Sequence, residues 1–267
     1  MRLTFLGTGG GRFVVINQLR ATGGFILEGK TLKMHVDPGP GALVKARQFK
    51  KDLKRLNCVF VSHAHPDHYT DLEIIIEAIT LGARKKRGVL IASESTINPK
   101  EGDRTIVSKY HLSIIEKYFS LKPDDEISFL GAKLKATKCK HSEEGCVGFL
   151  LEDEEGEKIG YTADGQYYEG QENYFKGCDC LIINCLRPRF AQNYGHMTSS
   201  DAKILVERAK PKMAVLQHLG MKMLFGVAER EAKWIEKETG IRTIAATDGM
   251  VIDTKLEIQK NLQKTLG

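Results

Sequence analysis

The feature that most constrains this chain is a short loop, residues 61–68 (VSHAHPDH), which holds three of the chain's eight histidines and an aspartate. The segment that leads into it, 58–62 (CVFVS), is apolar up to its last residue and predicts a short strand buried on both faces. The residues after it, 71–83 (DLEIIIEAITLGA), have the apolar spacing of a helix. Loops at strand ends are where rigid scaffolds present binding side chains, so this pattern indicates a specific site.

The spacing within the loop is H-x-H-x-D-H, formed by His63, His65, Asp67 and His68. Imidazole nitrogens and a carboxylate together suit borderline divalent metals such as zinc. Pro66 restricts the residue before it to an extended conformation and stiffens the loop. The motif therefore predicts part of a metal site, which other residues must complete.

Further candidate ligands occur where later segments of the chain change from strand-like to loop-like patterns. They are His141 after KLKATKC, Asp164 at the end of KIGYTAD, His196 ahead of a helix-like segment and His218 at the end of MAVLQH. Strand ends that meet at one edge of a sheet would bring such side chains together. The two remaining histidines, His35 and His111, are predicted to be structural or surface residues.

Strand-like and helix-like segments alternate along the chain, and the alternation restarts near residue 125. Two such halves without a linker, 1–124 and 125–267, predict a single domain. The expected fold is of the α/β (α+β) class: a four-layer αββα sandwich of two mixed β-sheets with helices on the outer faces. A chain of 267 residues with 42% hydrophobic residues can bury a core of that size.

Three segments make local predictions. Residues 42–56 (ALVKARQFKKDLKRL) and 108–120 (SKYHLSIIEKYFS) predict helices, and residues 242–254 (RTIAATDGMVIDT) predict a hairpin that turns at Asp248-Gly249. Ser199 or Ser200 is predicted to cap the helix that follows.

Composition narrows the cellular setting. The six cysteines form no C-x-x-C pair, which predicts buried reduced thiols. No apolar run approaches the roughly 20 residues of a membrane span, and the N-terminus has a strand-like rather than a signal-peptide pattern. We therefore expect a cytoplasmic protein without a membrane partner. The net charge of +6 is mild, and no aromatic residues alternate with the basic ones as in a nucleic-acid platform.

Several motifs resemble those of the metallo-β-lactamase superfamily, over nearly the whole chain. HAHPDH (63–68) and HVDPGPG (35–41) are similar to its metal-binding and first acidic motifs. Within the superfamily, LGTGGG (6–11) and GHMTSSDAKILVERAKPKMAVLQHLG (195–220) resemble the branch of ribonuclease Z and the cyclic-phosphate phosphodiesterases.

The resemblance implies two divalent metal ions, with zinc expected and manganese or iron(II) as alternatives. By position, one ion would be held by His63, His65 and His141, the other by Asp67, His68 and His218, with Asp164 as the bridge. Asp37 would hold the ligand loop by hydrogen bonds. Asp67 would also orient the metal-bound hydroxide or accept its proton, and His196 would contact or protonate the departing phosphate oxygen.

These implications predict a metal-dependent phosphodiesterase that acts on a small cyclic-phosphate or nucleotide-like anion. Arg187 and Arg189 are candidates for binding the phosphate as planar forks, and Arg12, after the tight turn GTGGG, is a minor one. The alternative is a hydrolase of a lactone, thioester or other carboxylic ester.

Two other interpretations are less favoured. A ribonuclease that acts on structured RNA is one, because the long lysine- and glycine-rich arm with which ribonuclease Z grips transfer RNA is not evident. A non-catalytic metal- or nucleic-acid-binding module is the other. Resemblance to dimeric relatives adds the expectation of a homodimer.

Overall fold

The computed structural model describes residues 1–99, 105–192 and 194–266, and these form two β-sheets. The first sheet has seven strands, in spatial order β15 (Val251–Asp253), β1 (Arg2–Phe5), β2 (Phe25–Glu28), β3 (Lys33–Val36), β4 (Cys58–Val61), β5 (Val89–Ser93) and β6 (Lys117–Leu121). Pairing is antiparallel from β15 to β3 and parallel from β3 to β6, so the sheet is mixed.

The second sheet is also mixed. Its main path is β14 (Arg242–Ala245), β13 (Met213–Gln217), β11 (Cys180–Arg187), β10 (Lys158–Tyr161), β9 (Val147–Glu152), β8 (Ala132–Lys138) and β7 (Glu126–Phe129), and the short β12 (Met197–Thr198) pairs with β11. Strands β10, β11, β13 and β14 are parallel, and the rest of the main path is antiparallel.

The helices connect these strands. They are α1 (Arg12–Asn17), α2 (Ala42–Gln48), α3 (Pro66–Tyr69), α4 (Leu72–Ile79), α5 (Glu94–Ile97), α6 (Lys109–Ile114), α7 (Ser199–Ala209), α8 (Val227–Thr239) and α9 (Thr254–Leu266), with 3-10 turns at Leu53–Arg55, Gln171–Tyr174 and Met221–Met223. Among the described residues, none of the helices is both long and apolar enough to cross a membrane.

Three apolar clusters show the layering. The central cluster lies between the two sheets, where Phe60 of the first meets Phe149 of the second edge to face. A second cluster packs α7 and α8 on the outer face of the second sheet, and a third packs α2 and α4 on the outer face of the first. The predicted αββα sandwich of two mixed sheets is therefore confirmed. All six cysteines are free thiols and five are buried, as expected.

Two helix predictions were too long. α6 ends at Ile114, and residues 117–121 form β6, which pairs in parallel with β5; backbone pairing at the sheet edge outweighs the helical spacing of the side chains. α2 ends at Gln48, and Lys50 has a positive φ of 56°, which a helix does not tolerate.

The predicted C-terminal hairpin is wrong. β14 pairs with β13 in the second sheet, whereas β15 pairs with β1 in the first. The turn between them crosses from one sheet to the other, and the Asp248 carboxylate holds it by accepting hydrogen bonds from the backbone N–H groups of Thr8 and Ala21, at 2.9 and 2.7 Å. The cap of α7 also differs from the prediction: it is Thr198, in a capping box with Asp201.

Candidate metal centre

The candidate ligands meet because their strands end at a common edge. β8, β10 and β13 run in the same direction in the second sheet, so the residues that follow them lie together. The loop after β4 of the first sheet faces them, and α3 begins at Pro66 inside that loop. All of the ligands predicted from sequence fall into groups whose donor atoms lie within 4.8 Å of one another.

One group consists of His63, His65 and His141. The Nε2 atom of His63 lies 2.9 Å from Nδ1 of His65, which lies 3.2 Å from Nε2 of His141. Nitrogen ligands at about 2.0–2.1 Å from a tetrahedral zinc ion are themselves about 3.3 Å apart, close to these spacings. Three ring nitrogens that face one point fit a shared cation.

The outer nitrogens of two of these rings are held by the protein. His63 Nδ1 lies 2.9 Å from Ser62 Oγ, and His141 Nδ1 lies 3.1 Å from the carbonyl of Gly195. Donation from Nδ1–H of His141 to that carbonyl leaves Nε2 without a proton and free to bind metal.

The second group consists of Asp67, His68 and His218. Asp67 Oδ2 lies 3.4 Å from Nε2 of His218 and 3.8 Å from Nε2 of His68. The Nε2 atom of His68 and the Nδ1 atom of His218 are buried and form no hydrogen bond with the described residues; their contacts with Asp164, at 3.5 and 3.4 Å, are too long or too poorly aligned. A buried polar atom without a partner is costly, and a cation at this point would give His68 one, so the residues fit a metal.

Asp164 lies between the two groups. Its Oδ2 is 3.5 Å from Nε2 of His68 and 3.5 Å from Nδ1 of His196, and its Oδ1 is 3.4 Å from Nδ1 of His218. A carboxylate oxygen of Asp164 also lies within 4.8 Å of a ring nitrogen of His63 and of a ring nitrogen of His141. This central position is the one that the resemblance implies for a bridging carboxylate.

Asp37 supports the ligands from behind. Its buried carboxylate accepts hydrogen bonds from the backbone N–H and Oγ–H of Ser62, both at 2.7 Å, from Nδ1–H of His68 at 2.8 Å and from Oη–H of Tyr161 at 2.6 Å. It therefore fixes both ends of the loop that carries the metal-binding motif.

The electrostatics around Asp164 and His63 match the protonation states that metal ligands need, an ionised carboxylate and a neutral ring. Burial raises the pKa of Asp164, but His218, His68 and His196 outweigh it and hold that pKa well below its usual range. Burial, with a further contribution from His68, keeps the pKa of His63 well below its usual value.

His68 behaves in the opposite way. Burial lowers its pKa, but Asp164, Asp67 and Asp37 outweigh burial and raise the pKa well above its usual value. In the metal-free chain the His68 proton therefore compensates the surrounding carboxylates, and a bound cation would take over that role.

His196 stands at the rim. Its ring stacks on His218 with centroids 5.8 Å apart and lies 5.1 Å from the ring of His141, and its side chain is 20% exposed. Burial lowers its pKa to about 4, and the nearby His218 and His141 oppose the raising effect of Asp164. The ring is thus close to the ligands yet reachable from solvent.

The two candidate arginines have different surroundings. Arg189 pairs with Glu231 at 3.2 Å and stacks over Trp234 at 4.5 Å, so its guanidinium is engaged by the protein. Arg187 donates to the carbonyl of Tyr194 at 3.2 Å and, among the described residues, has no carboxylate partner. Arg187 is therefore the arginine available to an anion.

Sequence reasoning missed a buried polar network behind Asp164. Asn184 donates to Asp164 Oδ1 at 2.7 Å and to Tyr161 Oη at 3.2 Å, and Gln217 donates to Asn184 Oδ1 at 2.7 Å. Asn184 and Gln217 are polar residues inside otherwise apolar strands, and a buried polar residue is the more informative exception. That pattern was visible in the sequence.

Comparison with known proteins agrees with this geometry. Residues 33–219 match the model of the family described as the Beta-lactamase superfamily domain. The chain belongs to the metallo-β-lactamase superfamily, near its ribonuclease Z branch, as its motifs predicted, and it is a metallo-hydrolase.

Individual relatives cover most of the chain. Protein MJ1374 of Methanocaldococcus jannaschii is 41% identical over 255 residues, which are 95% of this chain and 95% of that protein. Ribonuclease Z of Sulfolobus acidocaldarius is 24% identical over 258 residues, 81% of this chain and 87% of that protein. The crystal structure of the metallo-beta-lactamase fold protein YhfI of Bacillus subtilis has a TM-score of 0.75 at 22% identity and covers 94% of this chain and 98% of its own.

Proposed function

We propose that this chain is a two-metal phosphodiesterase whose substrate is a small cyclic-phosphate or nucleotide-like anion. The observation that supports phosphate most directly is His196. Seven other residues already account for two ligand groups and a bridge, and His196 is a further imidazole 3.5 Å from the bridging carboxylate. A poor leaving group such as an alkoxide needs a proton donor to depart from phosphorus, and His196 is placed to be that donor.

Zinc is the metal that we propose, because the donors are imidazole nitrogens and carboxylate oxygens. The proposed ligands are His63, His65 and His141 for one ion and Asp67, His68 and His218 for the other, with Asp164 between them. When bound, two such ions would supply a water of lowered pKa as nucleophile and stabilise charge on the phosphate.

The chain's own residues would do the rest. Asp67 has a side chain that is 20% exposed, so it can orient an attacking water and accept its proton. His196 would donate a hydrogen bond from its ring to the departing oxygen. Arg187, which lacks a carboxylate partner among the described residues, would bind the non-bridging oxygens as a planar fork.

The test uses chain loaded with zinc or manganese. We expect hydrolysis of bis(p-nitrophenyl) phosphate, little hydrolysis of a thioester, and two ions per chain by elemental analysis. For a cyclic phosphodiester such as 2′,3′-cyclic AMP, whose departing oxygen is an alkoxide that needs a proton, His196→Ala should lower kcat/KM by about 10²-fold. The matched control is His111→Gln, because His111 lies on α6 and contacts Ser108 and Glu73 rather than the centre.

Two results would contradict the proposal. One is a loaded chain that cleaves the thioester and leaves the phosphodiester untouched. The other is a His196→Ala variant that keeps its activity on the cyclic phosphodiester within twofold of the wild type.

A further inference from the structure

A cavity of about 240 Å³ lies beside the candidate metal centre, between the start of α1, the end of β11 and the segment that follows β13. Its apolar lining comes from Phe13, Leu186 and Met221, and its charged lining from Arg12, Arg187 and Lys222. Apolar walls with a few charged groups are typical of small-molecule sites. Of its lining residues, only Arg187 and Arg12 are candidates for binding the phosphate itself.

The cavity lies against the second ligand group. Gly10 lines it and donates its N–H to the carbonyl of Leu219 at 3.1 Å, directly after His218. A Cβ atom at Gly10 would lie 2.2 Å from Nδ1 of His218, so this backbone lies directly over the ring of the ligand. A phosphate held at the metal centre could therefore extend one of its substituents into the cavity.

Two of the apolar residues that line the cavity are largely exposed to solvent. Phe13 is 68% exposed and Met221 is 47% exposed, and both line the cavity. Apolar surface that lies around a cavity and stays in contact with water is stabilised when a ligand covers it. An aromatic ring and a thioether together suit a flat ring.

The charged side of the cavity is not neutralised by the protein. Among the described residues, none of Arg12, Arg187 and Lys222 forms an ion pair, although two neighbouring arginines do, Arg20 with Glu229 and Arg189 with Glu231. Three unpaired cations around one cleft concentrate positive potential there. One phosphodiester group carries a single negative charge, so this lining exceeds what that group alone requires.

We propose that this cavity binds a ring-bearing substituent of the substrate that carries a second anionic group, as in a nucleotide with an additional phosphate. This inference rests on the proposed phosphodiesterase function and narrows its substrate class. The ring would lie between Phe13, Leu186 and Met221, and the second anion would contact Arg12 and Lys222. At about 240 Å³ the cavity is smaller than the roughly 300–1,000 Å³ of drug-sized sites, which fits a single ring substituent.

The experiment compares two substrates that differ only in the second anion: thymidine 5′-(p-nitrophenyl phosphate) and the same compound with a 3′-phosphate. In the zinc-loaded wild type, the 3′-phosphate should raise kcat/KM by about tenfold or more, the range of a charge-assisted contact. In the double variant Arg12→Gln, Lys222→Gln, the ratio of the two kcat/KM values should fall below about twofold.

The matched control is Arg84→Gln, Lys86→Gln, which removes the same two charges from an exposed turn after α4 and should keep the wild-type ratio. The proposal is overturned if the 3′-phosphate gives no gain in the wild type, or if the double variant keeps the gain. A gain lost equally in the control would also overturn it, because net charge alone would then explain the effect.

Binding provides a readout that does not depend on turnover. Thymidine 3′,5′-bisphosphate, titrated by calorimetry, should bind the Arg12→Gln, Lys222→Gln variant at least tenfold more weakly than the control variant. If no phosphodiester is hydrolysed but this difference is found, the proposed function fails and the binding cavity stands. Equal affinity of the two variants would overturn the cavity assignment whether or not the chain is a phosphodiesterase.

Discussion

The Nδ1–H of His68 donates a 2.8 Å hydrogen bond to Asp37 Oδ2, and this contact determines which ring nitrogen of His68 faces the candidate metal centre. The other nitrogen, Nε2, is buried, lies 3.5 Å from Asp164 Oδ2 and forms no hydrogen bond within the described part of the chain. Metal-binding histidines usually donate their second N–H to a carboxylate or carbonyl, which sets the tautomer and the ring orientation. Asp37 has that relation to His68, and it also anchors the loop through Ser62.

Asp37→Asn should therefore weaken metal binding without changing a ligand. An amide cannot accept all four hydrogen bonds, so His68 and Ser62 lose part of their support. Loss of such a partner typically lowers metal affinity by about 10–100-fold. Competition with a chromogenic chelator measures the effect. Asp52→Asn, at the exposed turn before residues 53–55, is the control, and equal zinc affinity of the two variants would contradict the argument.

Gly10→Ala tests the close approach of backbone to ligand. The added Cβ would lie 2.2 Å from Nδ1 of His218, a distance that real atoms do not adopt, so the ring must move. We expect the bound zinc to fall from two ions to one and phosphodiesterase activity to fall at least about 10²-fold, since a displacement near 1 Å can cost that much.

The control for this substitution is Gly29→Ala. A Cβ at Gly29 would have its nearest neighbours at 3.8 Å, which is ordinary contact, and Gly29 does not have a positive φ. Gly29→Ala should keep both ions and wild-type activity. Full zinc occupancy in Gly10→Ala would show that His218 is not a ligand in its present position.

Removal of metal should lower the free energy of unfolding. The centre buries the carboxylates of Asp37 and Asp164, whose compensation in the metal-free chain depends on protonated His68. Zinc at 100 times its dissociation constant adds about 2.7 kcal/mol per site, and scanning calorimetry with and without chelator would show it as a rise in Tm. His141→Ala and His218→Ala should each lose one ion, and a smaller stabilisation by zinc should accompany that loss.

The sequence predicted the fold class and the residues that cluster at the sheet edge because both depend on local patterns, whereas the division of those residues into two ligand groups comes from the resemblance to the superfamily. The apolar run 58–61 forms β4, and the H-x-H-x-D-H loop follows it directly. His141, Asp164 and His218 were found because each follows a strand, and parallel strand direction then brings them to one edge. The spacing of apolar residues and the position at strand ends were sufficient to predict β4 and the residues that cluster beside it.

Pairing between distant segments could not be predicted in the same way. Residues 242–254 have the pattern of a hairpin, yet β14 and β15 join different sheets because their partners, β13 and β1, lie far away in the sequence. The helix predicted for residues 108–120 is likewise too long, because residues 117–121 alone do not show that they pair with β5. α1 was missed because Phe13 and Ile16 are exposed, so the segment lacks a core-facing apolar stripe.

His35 makes a prediction about stability that is separate from the metal centre. It is fully buried in β3, and its Nε2–H donates to the carbonyl of Gly23 at 2.8 Å. Its Nδ1 atom has no hydrogen-bond partner among the residues that the structure describes. Burial lowers its pKa from 6.5 to about 4, against the raising effect of the Gly23 carbonyl, so the unfolded chain binds this proton more readily. The contribution of neutral His35 to the free energy of unfolding is therefore complete above about pH 6.5. It decreases by about 3 kcal/mol as the pH falls to 4.

We expect His35→Gln to be less stable than the wild type at pH 7 but to lose about 3 kcal/mol less between pH 7 and 4. Urea unfolding of both metal-free chains across this range measures the difference, and parallel pH dependences would show that His35 is not buried as a neutral ring.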